Sequence, residues 1–243
     1  MLISIIVPAY NEEKLLGPTL ISIQQASQAF VEHGWNTELI VCDNNSTDNT
    51  AAIAKRHGAV VVFESENQIA RARNRGAEAA RGDWLLFIDA DSSPSVDLFR
   101  DLLSAIESDR CIACGTVMQF DTADPAYRLA VWAWSCWSRL LRHMAGSFVA
   151  VEEAAFRAIG GFSLEFYAGE ELDLSRRLQR EAKQRSPRRH IKILTRHPLL
   201  TSGRKSQLYT RSEHARFLWR VFTRPFRMMR SRDACELWYD GRR

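Results

Sequence analysis

The run Trp84-Leu85-Leu86-Phe87-Ile88-Asp89-Ala90-Asp91 consists of five apolar residues followed by two carboxylates separated by one residue. An apolar run this short, with aromatic and branched side chains, predicts a buried central β-strand. In an open parallel sheet, ligands bind beyond the carboxyl ends of the strands. Asp89 and Asp91 are therefore predicted metal ligands, because carboxylate oxygens suit a hard cation such as Mg2+ or Mn2+ held against a substrate phosphate. A strand that ends in a solvated acidic turn is the alternative interpretation.

Strand and helix patterns alternate up to Asp91, which predicts βαβ units and a mostly parallel sheet in an α/β protein. The predicted strands before the central one are 3–7, 37–42 and 59–63, and the helices between them include 15–30 and 70–80. The pattern loosens after Asp91. The segments predicted there are helix 94–106, strand 111–120, a Trp-rich helix 126–141, strand 146–151, a short helix ending at 159, helix 170–184, strand 191–194 and an amphipathic helix 213–230.

The composition is typical of a soluble globular protein with one large domain. The chain has 243 residues, 46% of them hydrophobic and 26% charged, which is ordinary for such a domain. Its five cysteines are scattered and no secretory signal precedes them, which predicts reduced thiols and a cytoplasmic location. For Cys111 and Cys114 the sequence favours buried thiols over a zinc site, because no second Cys or His pair lies near them. No apolar run approaches the ~20 residues of a membrane-spanning helix.

The charges are distributed very unevenly along the chain. Residues 176–243 contain 20 Lys+Arg and 5 Asp+Glu, whereas residues 1–175 contain 13 and 24. A metal site belongs in the acidic part, and phosphate or anionic lipid would suit the basic part. The predicted helix 213–230 could lie on an anionic membrane surface and make the protein peripheral to the membrane, or it could pack against its own domain. Nucleic acid is not expected as a partner, since no reader motif accompanies the charge.

Polar residues follow the first two predicted strands at the edge that also carries Asp89 and Asp91. Pro8, Tyr10 and Glu12 leave the first strand, and Asp43 leaves the second. A carboxylate there can accept a hydrogen bond from a ribose hydroxyl or a base N–H, and Tyr10 can stack on a base. The alternative is turn chemistry alone, because Asn and Asp favour such loops without any ligand.

Two charged clusters flank this predicted site in the sequence. Arg71, Arg73 and Arg75 alternate on a predicted helix, so at most one or two of them reach the crevice and at least one is solvated. Three carboxylates, Glu170, Glu171 and Asp173, crowd the start of another helix. Acidic residues there complement the helix dipole, but crowding also raises a carboxyl pKa, which suits a general base.

Four motifs in order give the chain a family resemblance. They are Ile5-Ile6-Val7-Pro8-Ala9-Tyr10-Asn11-Glu12, then Val41-Cys42-Asp43-Asn44-Asn45-Ser46-Thr47-Asp48-Asn49-Thr50, then Ala72-Arg73-Asn74-Arg75-Gly76 before Leu86-Phe87-Ile88-Asp89-Ala90-Asp91, and Gly160-Gly161-Phe162 before Gly169-Glu170-Glu171-Leu172-Asp173-Leu174. Over roughly residues 1–180 the chain resembles the family 2 inverting glycosyltransferases of the GT-A fold. The resemblance implies a Rossmann-like, mostly parallel central sheet flanked by helices, followed here by a basic helical C-terminal extension.

The resemblance also implies roles for individual residues. Those expected to line the nucleotide-sugar pocket are Pro8, Tyr10, Glu12, Asp43, Arg73 and Asp89. Asp91 would hold Mn2+ or Mg2+ on the diphosphate, and Arg204 lies in a basic stretch that could close over it. The family base is usually the Asp of a Glu-Asp pair, which corresponds here to Glu171. Because Glu replaces that Asp, Glu170 and Asp173 are kept as neighbours that could take the role.

The implied reaction is metal-dependent transfer of a sugar from a UDP- or GDP-linked donor to an acceptor hydroxyl. Glu171 would take the proton of a sugar or lipid-linked acceptor, such as a cell-envelope glycan, as that hydroxyl attacks the anomeric carbon. One displacement would invert the anomeric configuration. The predicted organisation is a single domain over 1–243, with a nucleotide-sugar half (1–110), an acceptor half (111–200) and the basic extension (201–243).

Two other functions compete with this interpretation. A non-catalytic nucleotide-sugar binding module would explain why Glu171 stands in place of the usual Asp. A haloacid-dehalogenase-like phosphatase also has a strand that ends in Asp-x-Asp. That motif usually lies on the first strand of the chain, however, whereas three strands are predicted before it here.

Overall fold

The computed structural model describes residues 1–120, 132, 135–202, 229–232 and 235. Its first part consists of β1 (Leu2–Ala9), α1 (Leu16–Glu32), β2 (Asn36–Asp43), α2 (Thr50–Arg56), β3 (Val60–Phe63), α3 (Ile69–Ala79) and β4 (Trp84–Ile88). The second part consists of β5 (Ser92–Ser93), α4 (Val96–Glu107), β6 (Cys111–Phe120), β7 (Phe148–Glu152), α5 (Glu153–Ala158), α6 (Glu170–Gln184) and β8 (His190–Thr201). Residues 135–141 are also helical. Arg204 and most of the predicted helix 213–230 lie outside the described residues.

All eight strands form one sheet in the order β3-β2-β1-β4-β7-β6-β8-β5. The pairs β3–β2, β2–β1 and β1–β4 are parallel, which confirms the βαβ units predicted up to Asp91. Every residue of β4 is buried, as predicted for the central strand. Strand β7 runs antiparallel to both β4 and β6. The strand pairing therefore changes from parallel to antiparallel immediately beside the Asp89–Asp91 loop.

The prediction for the last part of the sheet was incomplete. The predicted strand 191–194 covers only the first part of β8, where Leu194 pairs with Thr116. The register then shifts, and pairing resumes between Leu199 and Met118. The intervening residues interrupt the apolar pattern from which a strand is recognised. The two-residue strand β5, which pairs with the end of β8, was not predicted because it is too short to show a period.

Apolar clusters cover both faces of the sheet, as expected when helices pack on both sides. Phe30 of α1, Phe99 of α4 and Phe148 of β7 belong to one cluster, and the Phe30 and Phe99 ring centroids are 5.1 Å apart. On the other face, Phe87 of β4 meets Phe162 edge-on at 5.1 Å. This second cluster also contains residues of α3 and α6 and so fixes α3, β4 and α6 relative to one another; these three elements carry the site described below.

Two remaining features of the fold concern its thiols and the character of its helices. Cys111 and Cys114 are buried and not disulfide-bonded, with their Sγ atoms 3.6 Å apart. Within the described ranges, no helix combines the length and apolar character needed to cross a membrane.

Candidate active site

A cavity of about 260 Å3 opens beyond the carboxyl end of β4. Five residues singled out from the sequence line it, namely Arg73, Asp89, Asp91, Glu170 and Glu171. They come from three separate elements: α3, the loop that follows β4, and the start of α6. The fold therefore brings the Asp-x-Asp motif and the acidic cluster into one cavity.

Arg73 is the buried centre of this arrangement, with a side chain that is 1% exposed. Its Nη1 donates to Glu170 Oε1 at 2.5 Å, and its Nη2 donates to Asp89 Oδ1 at 2.9 Å and to the Gly146 carbonyl at 2.8 Å. The guanidinium also lies 5.2 Å from the centre of the Phe162 ring. Burial opposes its charge, but the carboxylates of Asp89, Glu170 and Glu171 outweigh that effect and raise the pKa of Arg73.

The other two arginines of α3 point away from the cavity. Arg75 is exposed and pairs with Glu78 at 2.9 Å, and Arg71 pairs with Glu66 at 3.1 Å. The prediction that at most one or two of the three reach the crevice is confirmed, because helical spacing turns only Arg73 inward.

Glu171 is a carboxyl group of the cavity whose acidity is strongly altered. Burial, followed by the negative charge of Glu170, raises the pKa of Glu171 to about 8, although the positive charge of Arg73 opposes the shift. A carboxyl group with this pKa can take up a proton near neutral pH, as a general base must.

The two other acidic candidates at the start of α6 have different partners. The Glu170 carboxylate is buried against Arg73. Asp173 Oδ2 accepts from Arg177 Nε at 2.7 Å, and Asp173 is not among the residues that line the cavity. Glu171 lies at the cavity with a raised pKa, whereas Glu170 is paired with Arg73 and Asp173 with Arg177.

Gly146 is a site residue that the sequence analysis missed. It had been placed at the start of a strand, but the strand begins at Phe148 and Gly146 lies in the preceding loop. A Cβ atom on Gly146 would lie 3.3 Å from Arg73 Nη2 and 3.5 Å from Glu171 Cδ. Because Gly146 has no side chain, its backbone can approach both groups closely. A single glycine in the sequence does not indicate such a close approach.

Two loops lie at the same edge of the sheet, beside the cavity. Ala9 pairs with Asp43, so β1 and β2 end level with each other. The loops are joined by hydrogen bonds from Asn11 N to Ser46 Oγ (3.0 Å) and from Glu12 N to Thr50 Oγ1 (2.8 Å). Asp43 is buried, and its Oδ1 accepts from Ser46 N at 3.0 Å. Pro8, Tyr10, Glu12 and Asp43 are thus positioned on the edge but do not line the cavity itself.

Asp89 and Asp91 both line the cavity, and their carboxylates are the candidate donors for a divalent metal at this edge. Within the described residues, no group of three or more metal-binding side chains occurs. Two carboxylates are nevertheless the ligand type that Mg2+ and Mn2+ prefer, and Mg2+ commonly completes its shell with water and substrate phosphates. His197, the histidine of β8 nearest to its pairing with β5, pairs through Nδ1 with Asp101 of α4 at 3.0 Å.

A distant part of the chain contacts the loop that precedes α6. Tyr167 N donates to the Met229 carbonyl at 2.7 Å, and Arg230 pairs with Glu165 at 2.9 Å. A Cβ on Gly169, which has a φ of +73°, would lie 3.2 Å from Met229 Sδ. The segment at 229–230 therefore holds the loop from which Glu171 emerges.

Comparison with known proteins connects this geometry with sugar transfer. The model of the family described as Glycosyl transferase family 2 matches residues 4–167. An uncharacterized glycosyltransferase of Mycobacterium tuberculosis is 37% identical over 91 residues, which cover 37% of this chain and 37% of that protein.

Solved structures share the fold over nearly the whole chain. S. aureus TarS 1-349 in complex with UDP has a TM-score of 0.64 at 19% identity, covering 98% of this chain and 78% of that one. Mannosyltransferase PcManGT from Pyrobaculum calidifontis, in complex with GDP-Man and Mn2+, has a TM-score of 0.64 at 20% identity, covering 96% of this chain and 64% of that one.

Proposed function

The chain belongs to glycosyl transferase family 2, and from this premise we propose that it transfers a sugar from a nucleoside-diphosphate sugar to an acceptor hydroxyl, with inversion and with a divalent metal. The observation that carries the proposal is the shared cavity of Asp89, Asp91 and Glu171. It combines carboxylates suited to a metal–diphosphate with a carboxylate suited to proton transfer. Family membership also favours this reaction over the phosphatase alternative.

The donor would lie along the carboxyl edge of β1, β2 and β4. Pro8, Tyr10, Glu12 and Asp43 are proposed to hold the nucleoside, and Asp89 the ribose or sugar. The hydrogen bonds between the two loops support this assignment, because they fix the loops before a ligand arrives. Arg204 keeps its proposed role at the diphosphate, as a residue outside the described part of the chain.

The metal would be held by Asp91, with Asp89 beside it. When bound, Mn2+ or Mg2+ offsets the negative charge that develops on the departing nucleoside diphosphate. TarS with UDP and the mannosyltransferase with GDP-Man and Mn2+ make both uracil and guanine nucleotides reasonable candidates for this chain. The donor base therefore has to be measured.

Glu171 is proposed as the general base. Its carboxylate would accept the proton of the acceptor hydroxyl as that oxygen attacks the anomeric carbon opposite the leaving group. Arg73 pairs with Glu170, which leaves Glu171 as the carboxylate of this pair that is proposed to exchange a proton. A sugar or lipid-linked acceptor remains our expectation, reached from the side of the loop 145–147.

The first test is calorimetric titration of the protein with UDP and GDP, with and without Mn2+. We expect one nucleotide to bind, and only with the metal. Asp91→Ala should abolish that binding, whereas the control Asp97→Ala, an exposed acidic residue on α4 paired with Arg100, should bind like the wild type. Metal-independent binding, or equal loss in both variants, would contradict the assignment of Asp91.

The second test separates an enzyme from a non-catalytic binding module. Glu171→Gln should bind the nucleotide–metal complex as the wild type does and lose transfer. Transfer that survives in Glu171→Gln would overturn the choice of base. A wild-type protein that binds the donor but transfers to no sugar or lipid-linked acceptor would favour the binding module.

A further inference from the structure

Four large apolar side chains are exposed close together in and beside the helical residues 135–141. The exposed fractions are 81% for Leu140, 65% for Trp132, 42% for Leu141 and 36% for Trp137. Single exposed apolar residues are normal on a protein surface, but a cluster of this size marks an interaction site. Leucine and tryptophan together suit a boundary that is apolar on one side and wet on the other.

Exposed cations lie on the same segment and on α6, which contacts it. Arg139 and Arg142 are exposed within the same segment. On α6, three exposed residues recur at helical spacing and therefore share one face, namely Arg176, Arg180 and Lys183. Gln179 Nε2 joins the two helices by donating to the carbonyls of Leu141 (2.8 Å) and Arg142 (3.1 Å). We call these apolar and basic residues together the aromatic–basic patch.

Acidic groups do not neutralise the patch in the described part of the chain. Residues 132 and 135–147 include no Asp or Glu. The nearest acidic residues of α6 are paired with arginines of the same helix, Asp173 with Arg177 at 2.7 Å and Glu181 with Arg185 at 3.2 Å. The patch therefore presents apolar side chains within a net positive surface.

We propose that the aromatic–basic patch docks on an anionic phospholipid bilayer, with its Trp and Leu side chains in the interface and its cations on lipid phosphates. An apolar centre with a basic rim is complementary to such a surface in both respects. The patch also continues directly into residues 145–147, which line the cavity. Docking would thus bring the proposed acceptor side of the cavity to the lipid surface.

Charge argues against two other occupants. A second copy of the chain would bring one basic rim against another. Residues 203–228 of the same chain contain 7 Lys+Arg and 1 Asp+Glu, so they would meet the rim with like charge. Nucleic acid would satisfy the cations but would offer no apolar partner to Leu140 and Leu141.

The experiment is flotation of the full chain with vesicles, in the absence of any donor or acceptor. We expect binding to phosphatidylcholine vesicles that contain phosphatidylglycerol, little binding to phosphatidylcholine alone, and loss of binding as salt screens the cations. Because no sugar transfer is measured, the result does not depend on the proposed function. A chain that transfers sugar but never floats would overturn the docking proposal and leave the enzyme proposal intact.

Substitutions locate the contact. Leu140→Ser should weaken vesicle binding about tenfold, and Trp132→Ser should weaken it similarly. Arg180→Gln should weaken it about fivefold, as expected for one cation near an anionic surface. The matched controls are Val31→Ser, an exposed apolar residue of α1 (61%), and Arg56→Gln, an exposed basic residue of α2; both should bind like the wild type.

Three outcomes would overturn the proposal. In the first, Leu140→Ser binds vesicles as tightly as the wild type. In the second, the patch variants and their controls lose vesicle binding equally. In the third, the wild type does not bind vesicles but forms a dimer in solution, and Leu140→Ser dissociates that dimer. The last outcome would assign the patch to a second copy of the chain.

Discussion

Arg73 joins parts of the protein that are far apart in the sequence. It lies on α3, yet its guanidinium binds Asp89 after β4, Glu170 at the start of α6 and the carbonyl of Gly146. One buried cation thus fixes the distance between the proposed donor side and the proposed base. Because its partners are carboxylates that would otherwise repel each other, its removal changes both packing and electrostatics.

Replacing Arg73 by Ala should lower the free energy of unfolding by about 3–5 kcal/mol, because the buried carboxylate of Glu170 and the partly buried carboxylate of Asp89 lose their counter-charge. Chemical denaturation measures this. The control is Arg75→Ala on the same helix, an exposed side chain paired only with Glu78, which should change stability by about 0.5 kcal/mol or less. Similar losses in the two variants would mean that the buried network does not stabilise the fold.

The raised pKa of Glu171 predicts a pH dependence of transfer. The carboxylate must be ionised to accept a proton, and with a pKa of about 8 it is mostly protonated at neutral pH. The value of kcat/KM should therefore rise with pH and level off above about pH 8, since this parameter reports the free enzyme. Initial rates across pH measure it, with metal and donor held constant. A profile that is already flat from pH 6 would contradict the assignment of Glu171 as base.

At the scale of the elements, the sequence predicts regularly paired strands well and irregularly paired strands poorly. The five-residue run of β4 and the alternation before it were sufficient to predict the parallel part of the sheet, because burial on both faces leaves a continuous apolar pattern. Only the first part of strand β8 is predicted, since its pairing with β6 is interrupted after Leu194. The antiparallel placement of β7 between β4 and β6 was not predicted either, because the apolar pattern of one segment does not indicate which strand it pairs with.

The packing around two helical glycines, Gly76 of α3 and Gly17 of α1, predicts opposite effects of an alanine substitution on stability. A Cβ on Gly76 would overlap Ile6 Cγ2, a fully buried atom of β1. Gly76→Ala should therefore destabilise the fold by about 1–3 kcal/mol, despite the better helix propensity of Ala. In α1, a Cβ on Gly17 would meet its nearest atom at 3.5 Å, so Gly17→Ala should stabilise by about 0.4–1 kcal/mol. Thermal unfolding of the pair measures the difference, and a stabilised Gly76→Ala would contradict the close approach of α3 to β1.

At the scale of the whole molecule, the site depends on contacts that local patterns do not contain. Asp89, Asp91 and the acidic cluster were recognisable because each follows or begins a regular element. Three features required the tertiary structure: the partner of Glu170, the close approach of Gly146 to Arg73, and the contact of Met229 with Tyr167. Each joins residues more than 60 positions apart, which is why the sequence predicted the residue types but not the geometry.

The contact at Met229 leads to a prediction about the whole chain. A chain that ends at Met228 lacks the carbonyl that binds Tyr167 N and the Arg230 guanidinium that pairs with Glu165. The loop before α6 should then move, and kcat should fall roughly 10- to 100-fold because the base is displaced. Nucleotide affinity should stay the same, since Asp43, Asp89 and Asp91 follow strands of the sheet. A chain that ends at Cys235 retains both contacts and is the control. Calorimetry measures nucleotide affinity and initial rates measure kcat for the two chains. If the shorter chain lost nucleotide binding and turnover equally, the segment would support the fold as a whole and not specifically the loop that carries the base.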